Sequence, residues 1–232
     1  VYAALGGFFF LLVSFLQISL GYTPIEAGAA SLPVTLLMLA LSARSGAFAQ
    51  RIGARLPLTL GPLAIALGLL WMTGIEPGDS YVGAVLPPVI VFGLGLTLVV
   101  APVTATVLAA ADARHAGIAS GVNNAVARVA GLLAVAVLPA VAGLTGDSFY
   151  DPAKMTSGFH MAMAACAGLA ALGGILAWFT ISAEVLHAEP EPGGDTPERL
   201  GEDYSCGVGA PPLRPEREAD CDLAPVVAAA QK

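Results

Sequence analysis

The 232-residue chain is 56% hydrophobic and only 12% charged, with a mean hydropathy of +0.79. A soluble domain of this size normally carries about 25% charged residues, so the apolar surplus exceeds what one water-facing core can bury and the solvent is lipid. The net charge of −7 does not describe the apolar body, because residues 1–183 hold six bases and six acids while 184–232 hold eleven acids and four bases; no basic patch with interleaved aromatics points to nucleic acid.

A helix that crosses a bilayer needs about 20 mostly apolar residues. Residues 1–25 are uncharged, and Tyr22 with Pro24 closes this first span. Residues 27–43 make a second, with Glu26 at its border. Next comes the most compact basic cluster, Arg44, Arg51 and Arg55, read as a loop. A third span runs from Pro57 to Ile75 and ends in the turn signature Glu76-Pro-Gly-Asp-Ser-Tyr81. A fourth covers 82–111, and Asp112, Arg114 and His115 form a short loop. The fifth, 116–143, is apolar except for Asn123, Asn124 and Arg128. A polar loop over 145–157 leads to the sixth span, 158–182, where Trp178 suits a headgroup-level anchor.

The predicted architecture is therefore all-α, with six membrane-spanning helices in residues 1–183 and a disordered acidic tail in 184–232 that lacks the bulky apolar groups needed to offset ordering entropy. Loops rich in Lys and Arg stay on the cytoplasmic side. The second-to-third and fourth-to-fifth connections carry the arginines, so they and the tail are expected in the cytoplasm. Cys166 reads as a small buried hydrophobe, and Cys206 and Cys221 as reduced tail thiols. The first residues show no signal-peptide pattern, and the chain reads as part of a longer protein.

Polar side chains inside the spans mark a cavity or a partner. Gly117, Gly121, Asn124, Arg128 and Gly131 step by four and three along one face of the fifth helix. The glycines are candidates for helix packing; Asn123, Asn124 and Arg128 are candidates for a substrate path. At 1.5 Å per residue, Arg128 lies about 18 Å from the start of its helix, too deep for easy snorkelling. Ser14 and Gln17 on the first helix, Thr35 and Met38 on the second, and Thr97 and Thr104 on the fourth extend the candidate path. These stripes assign the first, second, fourth and fifth helices to a cavity, and the third and sixth to lipid. No nucleophile elbow, phosphate-cradling loop or metal triplet is present in the sequence, so no catalytic residue, metal or bound cofactor is expected.

The stretch Gly46-Ala-Phe-Ala-Gln-Arg-Ile-Gly-Ala-Arg55 resembles the second copy of the cytoplasmic Gly-x-x-x-Asp-Arg-x-Gly-x-Arg motif of the major facilitator superfamily. Phe15-Leu-Gln-Ile-Ser-Leu-Gly-Tyr-Thr-Pro-Ile-Glu-Ala-Gly28 and His115-Ala-Gly-Ile-Ala-Ser-Gly-Val-Asn-Asn-Ala-Val-Ala-Arg128 are similar to segments of its fourteen-helix drug:proton antiporter branch. The resemblance covers about residues 1–182 and is to the carboxy-terminal half of such transporters. It implies two inverted three-helix repeats, and a bacterial inner-membrane exporter of small amphipathic compounds. It also implies a proton gradient as energy source, and an amino-terminal half as partner beside the bilayer. Gly46, Gln50, Arg51, Gly53 and Arg55 occupy the loop motif, with Gln50 where the family has Asp, which weakens the ion pairing the motif implies. Export of an endogenous metabolite or lipid-like compound, and a non-transporting six-helix scaffold, are the rival readings.

Overall fold

The computed structural model describes residues 1–109 and 115–181. The expected tail, its cysteines, and Asp112 and Arg114 of the fourth-to-fifth connection lie outside the described residues.

All regular structure among the described residues is helical: α1 (Tyr2–Ile18), α2 (Pro24–Ala29), α3 (Leu32–Ile52), α4 (Arg55–Met72), α5 (Leu86–Ala109), α6 (Ala116–Val141) and α7 (Pro152–Thr180). A π-helical turn, Tyr81–Val85, leads into α5, and a 3₁₀ turn, Gly146–Tyr150, precedes α7. Among the described residues, five stretches are long and apolar enough to cross a membrane: Pro24–Ile52, Arg55–Met72, Tyr81–Ala109, Ala116–Val141 and Pro152–Thr180. α1, a mostly apolar helix of 17 residues, stands at the lower limit of spanning length.

Helix ends follow local chemistry. Thr23 and Glu26 form a capping box at the start of α2, each side chain bonded to the other's backbone N–H, with Pro24 in the first turn. Asp151 caps α7 by accepting from the N–H groups of Ala153 and Lys154, so this helix begins six residues before its expected start and absorbs half of the predicted 145–157 loop.

The helices interlock. α1 packs chiefly against α6 and α7, α5 against α3 and α4, and α4 against α7. Taking α2 and α3 as one span gives two sets of three, in which the first helix of each set lodges against the second and third helices of the other. Three crossings per set invert the second relative to the first, the arrangement that the inverted repeats lead one to expect.

In lipid, helix association rests on close packing and not on removing apolar surface from water. Small residues therefore set the crossings. A Cβ at Gly61 would lie 2.9 Å from the carbonyl oxygen of Gly95, and a Cβ at Gly95 would lie 2.7 Å from that of Gly61, so α4 and α5 touch backbone to backbone. A Cβ at Gly6 would lie 2.8 Å from Cα of Gly131, where α1 meets α6. Aromatic rings fill the remaining interior: Phe15 stacks on Phe159 at 4.1 Å, and Phe8 meets Phe92 at 3.9 Å. Cys166 is buried in the same cluster, as its apolar surroundings predict.

The third and sixth helices, expected to face lipid, also pack inside the bundle. α4 and α7 supply much of the interior, through residues such as Ile65, Leu69, Phe159 and Ala162. Each still turns an uncharged apolar stripe outward, Leu60, Leu63, Leu67 and Leu70 on α4 and Met161, Leu172, Leu176 and Phe179 on α7. α6 is the least buried of the long helices within the chain. A third helix packed on two others must bury a face whatever its outer side meets, and stripe polarity alone misses that.

Candidate functional site: the α3–α5 groove and the outer face of α6

The basic segment predicted as a loop is mostly helix. α3 continues through Arg44, Gly46, Gln50 and Arg51 to Ile52, and the chain turns only at Gly53, whose φ of 87° suits glycine, before Arg55 opens α4. Ala, Gln and Arg favour helix, so charge ended the apolar run without ending the helix. The motif residues thus occupy the last two turns of α3, a two-residue break and the first residue of α4. The Arg55 guanidinium lies 4.1 Å over the Trp178 ring, which ties the start of α4 to the end of α7.

α3 and α5 lie side by side in parallel. The Tyr81 hydroxyl donates to the Ala30 carbonyl at 3.0 Å at one end, Gly93 meets Val34 and Leu37 midway, and Gly46 faces Ala101 near the other end. Between the last two contacts the helices leave an open groove of about 430 Å³ lined by Leu41, Arg44, Ser45, Phe48, Leu94, Thr97 and Leu98. Its walls are apolar except at three points. Arg44 donates to the Ala40 carbonyl at 3.2 Å. Thr97 donates to the Gly93 carbonyl at 2.8 Å. The hydroxyl of Ser45, a residue only 5% exposed, has no hydrogen-bond partner. A second open groove, about 470 Å³, lies at the Tyr81 end among Tyr22, Glu26, Ala29, Ala30 and Tyr81.

The other candidate residues are distributed around the bundle. Ser14, Gln17, Thr104 and Asn124 bond carbonyls four residues back in their own helices, to Phe10, Val13, Val100 and Ser120, so these polar groups are satisfied locally. Thr35 is exposed, and Met38 packs against the core. The Asn123 Oδ1 sits 3.5 Å from the Tyr2 hydroxyl, at the outer limit for a hydrogen bond between α6 and α1. Asn124 and Arg128 are exposed on α6, and nothing among the described residues lies within 4 Å of a Cβ built on Gly117, Gly121 or Gly131. Of the named set, only Thr97 lines the α3–α5 groove.

Sequence reasoning passed over Arg44 and Ser45 as pocket residues because they were placed in a loop. The signal was present: Ser31, Thr35, Met38 and Ser42 step by four, three and four, and the next step of three reaches Ser45. Gly6 and Tyr2, which meet α6, were also missed; each sits in an apolar run that offers no contrast.

The family model of the Major Facilitator Superfamily matches residues 1–135. The chain is 34% identical over 150 residues to the cephamycin export protein CmcT of Amycolatopsis lactamdurans, covering 64% of this chain and 30% of that protein. It is 34% identical over 151 residues to the tetracenomycin C resistance and export protein of Streptomyces glaucescens, covering 65% and 28%. It is 32% identical over 198 residues to the puromycin resistance protein pur8 of Streptomyces alboniger, covering 79% and 39%. The chain therefore spans well under half the length of these curated relatives. With its apolar helices and their interlocked packing, the chain is a multi-pass membrane protein and belongs to the Major Facilitator Superfamily.

Proposed function

We propose that the chain forms one half of a secondary exporter that moves small amphipathic organic compounds out of a bacterial cell across the inner membrane, driven by the proton gradient. An amino-terminal helical half completes the transport path. The basic ends of α3 and α4, with the residues after α7, face the cytoplasm.

The observation that carries this reading is the outward face of α6. Arg128 is the thirteenth residue of a 26-residue apolar helix, exposed, and without a hydrogen bond or ion pair to any described residue. An arginine at mid-membrane depth facing lipid costs about 2.5–3.5 kcal/mol on insertion scales. The neighbouring stripe of Gly117, Gly121 and Asn124 is too small and polar to be matched to lipid. This face fits a second helical body and a water-accessible path between the two. The relatives, which are named as export and resistance proteins, support the same reading. In this mechanism the chain carries out no covalent chemistry; it contributes apolar walls, one face of the path and a fixed positive charge at its centre.

The test is efflux from cells that express the full-length protein. Arg128→Gln is expected to abolish net efflux at normal membrane expression, and Arg128→Lys to retain part of it because the charge remains. Undiminished efflux in Arg128→Gln would remove the central role of this face.

A further inference from the structure

The α3–α5 groove has the composition of a binding site for one kind of ligand. A pocket of about 430 Å³ lies within the range of small-molecule sites, which are apolar with a few placed polar groups. Four of its seven lining residues, Leu41, Phe48, Leu94 and Leu98, are apolar. Its charge comes from Arg44, which lies eight residues, about 12 Å, before the end of α3 at Ile52. A guanidinium has five N–H donors, and Arg44 uses one on the Ala40 carbonyl. Among the described residues no carboxylate lines the groove. Next to Arg44 in the chain sits a second unmet demand, the Ser45 hydroxyl, 95% buried as a residue and unbonded although the Leu41 carbonyl stands one turn back on the same helix. Thr97 opposite has already donated its proton to Gly93.

We propose that this groove binds the carboxylate of an amphipathic organic acid, with Arg44 supplying the charge, Ser45 donating a hydrogen bond, and the apolar body of the ligand lying along Phe48, Leu94 and Leu98. Naming this ligand a cargo rests on the export reading above; the site itself does not. A cationic amphiphile would place like charge beside Arg44, with no carboxylate among the described lining residues to offset it. The selectivity is therefore for acids over amines of the same shape.

The experiment measures equilibrium binding to the full-length protein in phosphatidylcholine nanodiscs, with no gradient applied and with empty nanodiscs subtracted. The probes are 4-(1-pyrenyl)butyrate and the matching amine, 4-(1-pyrenyl)butylamine, followed by fluorescence polarisation. The butyrate is expected to bind at least about tenfold more tightly, and Arg44→Gln to remove about tenfold of its affinity, the usual loss for a hydrogen bond to a charged group. Arg44→Lys should keep the preference, and Ser45→Ala should weaken the butyrate by about tenfold, the loss of one hydrogen bond to a charged carboxylate. Equal affinity for the two probes, or an intact preference in Arg44→Gln, overturns the assignment. Should Arg44→Gln fail to fold, Ser45→Ala decides, and wild-type affinity there overturns it. Displacement of the butyrate when phosphatidylglycerol is added to the nanodiscs also overturns it, because the groove then belongs to a lipid headgroup. A protein that binds the butyrate but exports nothing contradicts the export reading and leaves this site standing.

Discussion

At the residue scale, glycines in this chain divide into two kinds that look alike in sequence. Gly6 has the backbone of Gly131 within 2.8 Å of where its Cβ would be, and Gly117 has nothing within 4 Å. The neighbour at Gly6 is backbone, which cannot rotate aside. Gly6→Ala is therefore expected to push α1 and α6 apart and to cost about 1–3 kcal/mol, as overpacking does. Gly117→Ala should leave the stability of this helical bundle unchanged. Unfolding temperatures of the two variants in detergent check the contrast, and equal losses would mean that the α1–α6 crossing does not depend on this approach. The spacing of Gly117, Gly121, Asn124 and Arg128 was legible in the sequence as one face of a helix. What that face meets was not, because periodicity defines a face without naming its neighbour.

At the element scale, the contrast between helix ends and membrane borders explains what was misread. The apolar runs located all six segments, since hydropathy reports contact with lipid. The run after Leu41 stops at Arg44 while α3 goes on to Ile52, because Arg, Gln and Ala hold a helix in water as well as in lipid. Glycine with positive φ, not charge, ends it. This extension brings the motif arginines onto helices, and it brings the start of α4 to the end of α7 through Arg55 and Trp178. A cation–π contact at a partly exposed site is worth about 0.5–1 kcal/mol. Trp178→Ala is expected to lower the detergent unfolding temperature accordingly, while Trp178→Phe, which keeps an aromatic face, should lose less. Equal effects of the two substitutions would reduce Trp178 to an apolar anchor. The interior role of α4 and α7 was hidden for a related reason: their buried and lipid-facing sides are both apolar, so neither shows as a stripe.

At the scale of the whole molecule, two three-helix sets interlock so that α1 and α5 each lean on the opposite set, and α4 and α7 join the two behind them. The bundle keeps its leucine-rich stripes on α4 and α7 and its polar, cationic face on α6. Such an asymmetric surface suits a body with lipid on one side and a second helical body on another. Family membership was legible from the Gly46–Arg55 motif and the Phe15–Gly28 and His115–Arg128 segments, whereas the α3–α5 groove required the course of α3 to be known.

The central claim is proton-driven export by a path that includes the α6 face. It is tested most directly in everted membrane vesicles carrying the full-length protein, by following the uptake of a fluorescent amphipathic compound as a proton gradient is imposed and then collapsed. The account predicts uptake that starts with the gradient, stops when an uncoupler removes it, and is absent in Arg128→Gln vesicles with equal protein content. Uptake that ignores the uncoupler, or that persists in Arg128→Gln, would contradict it.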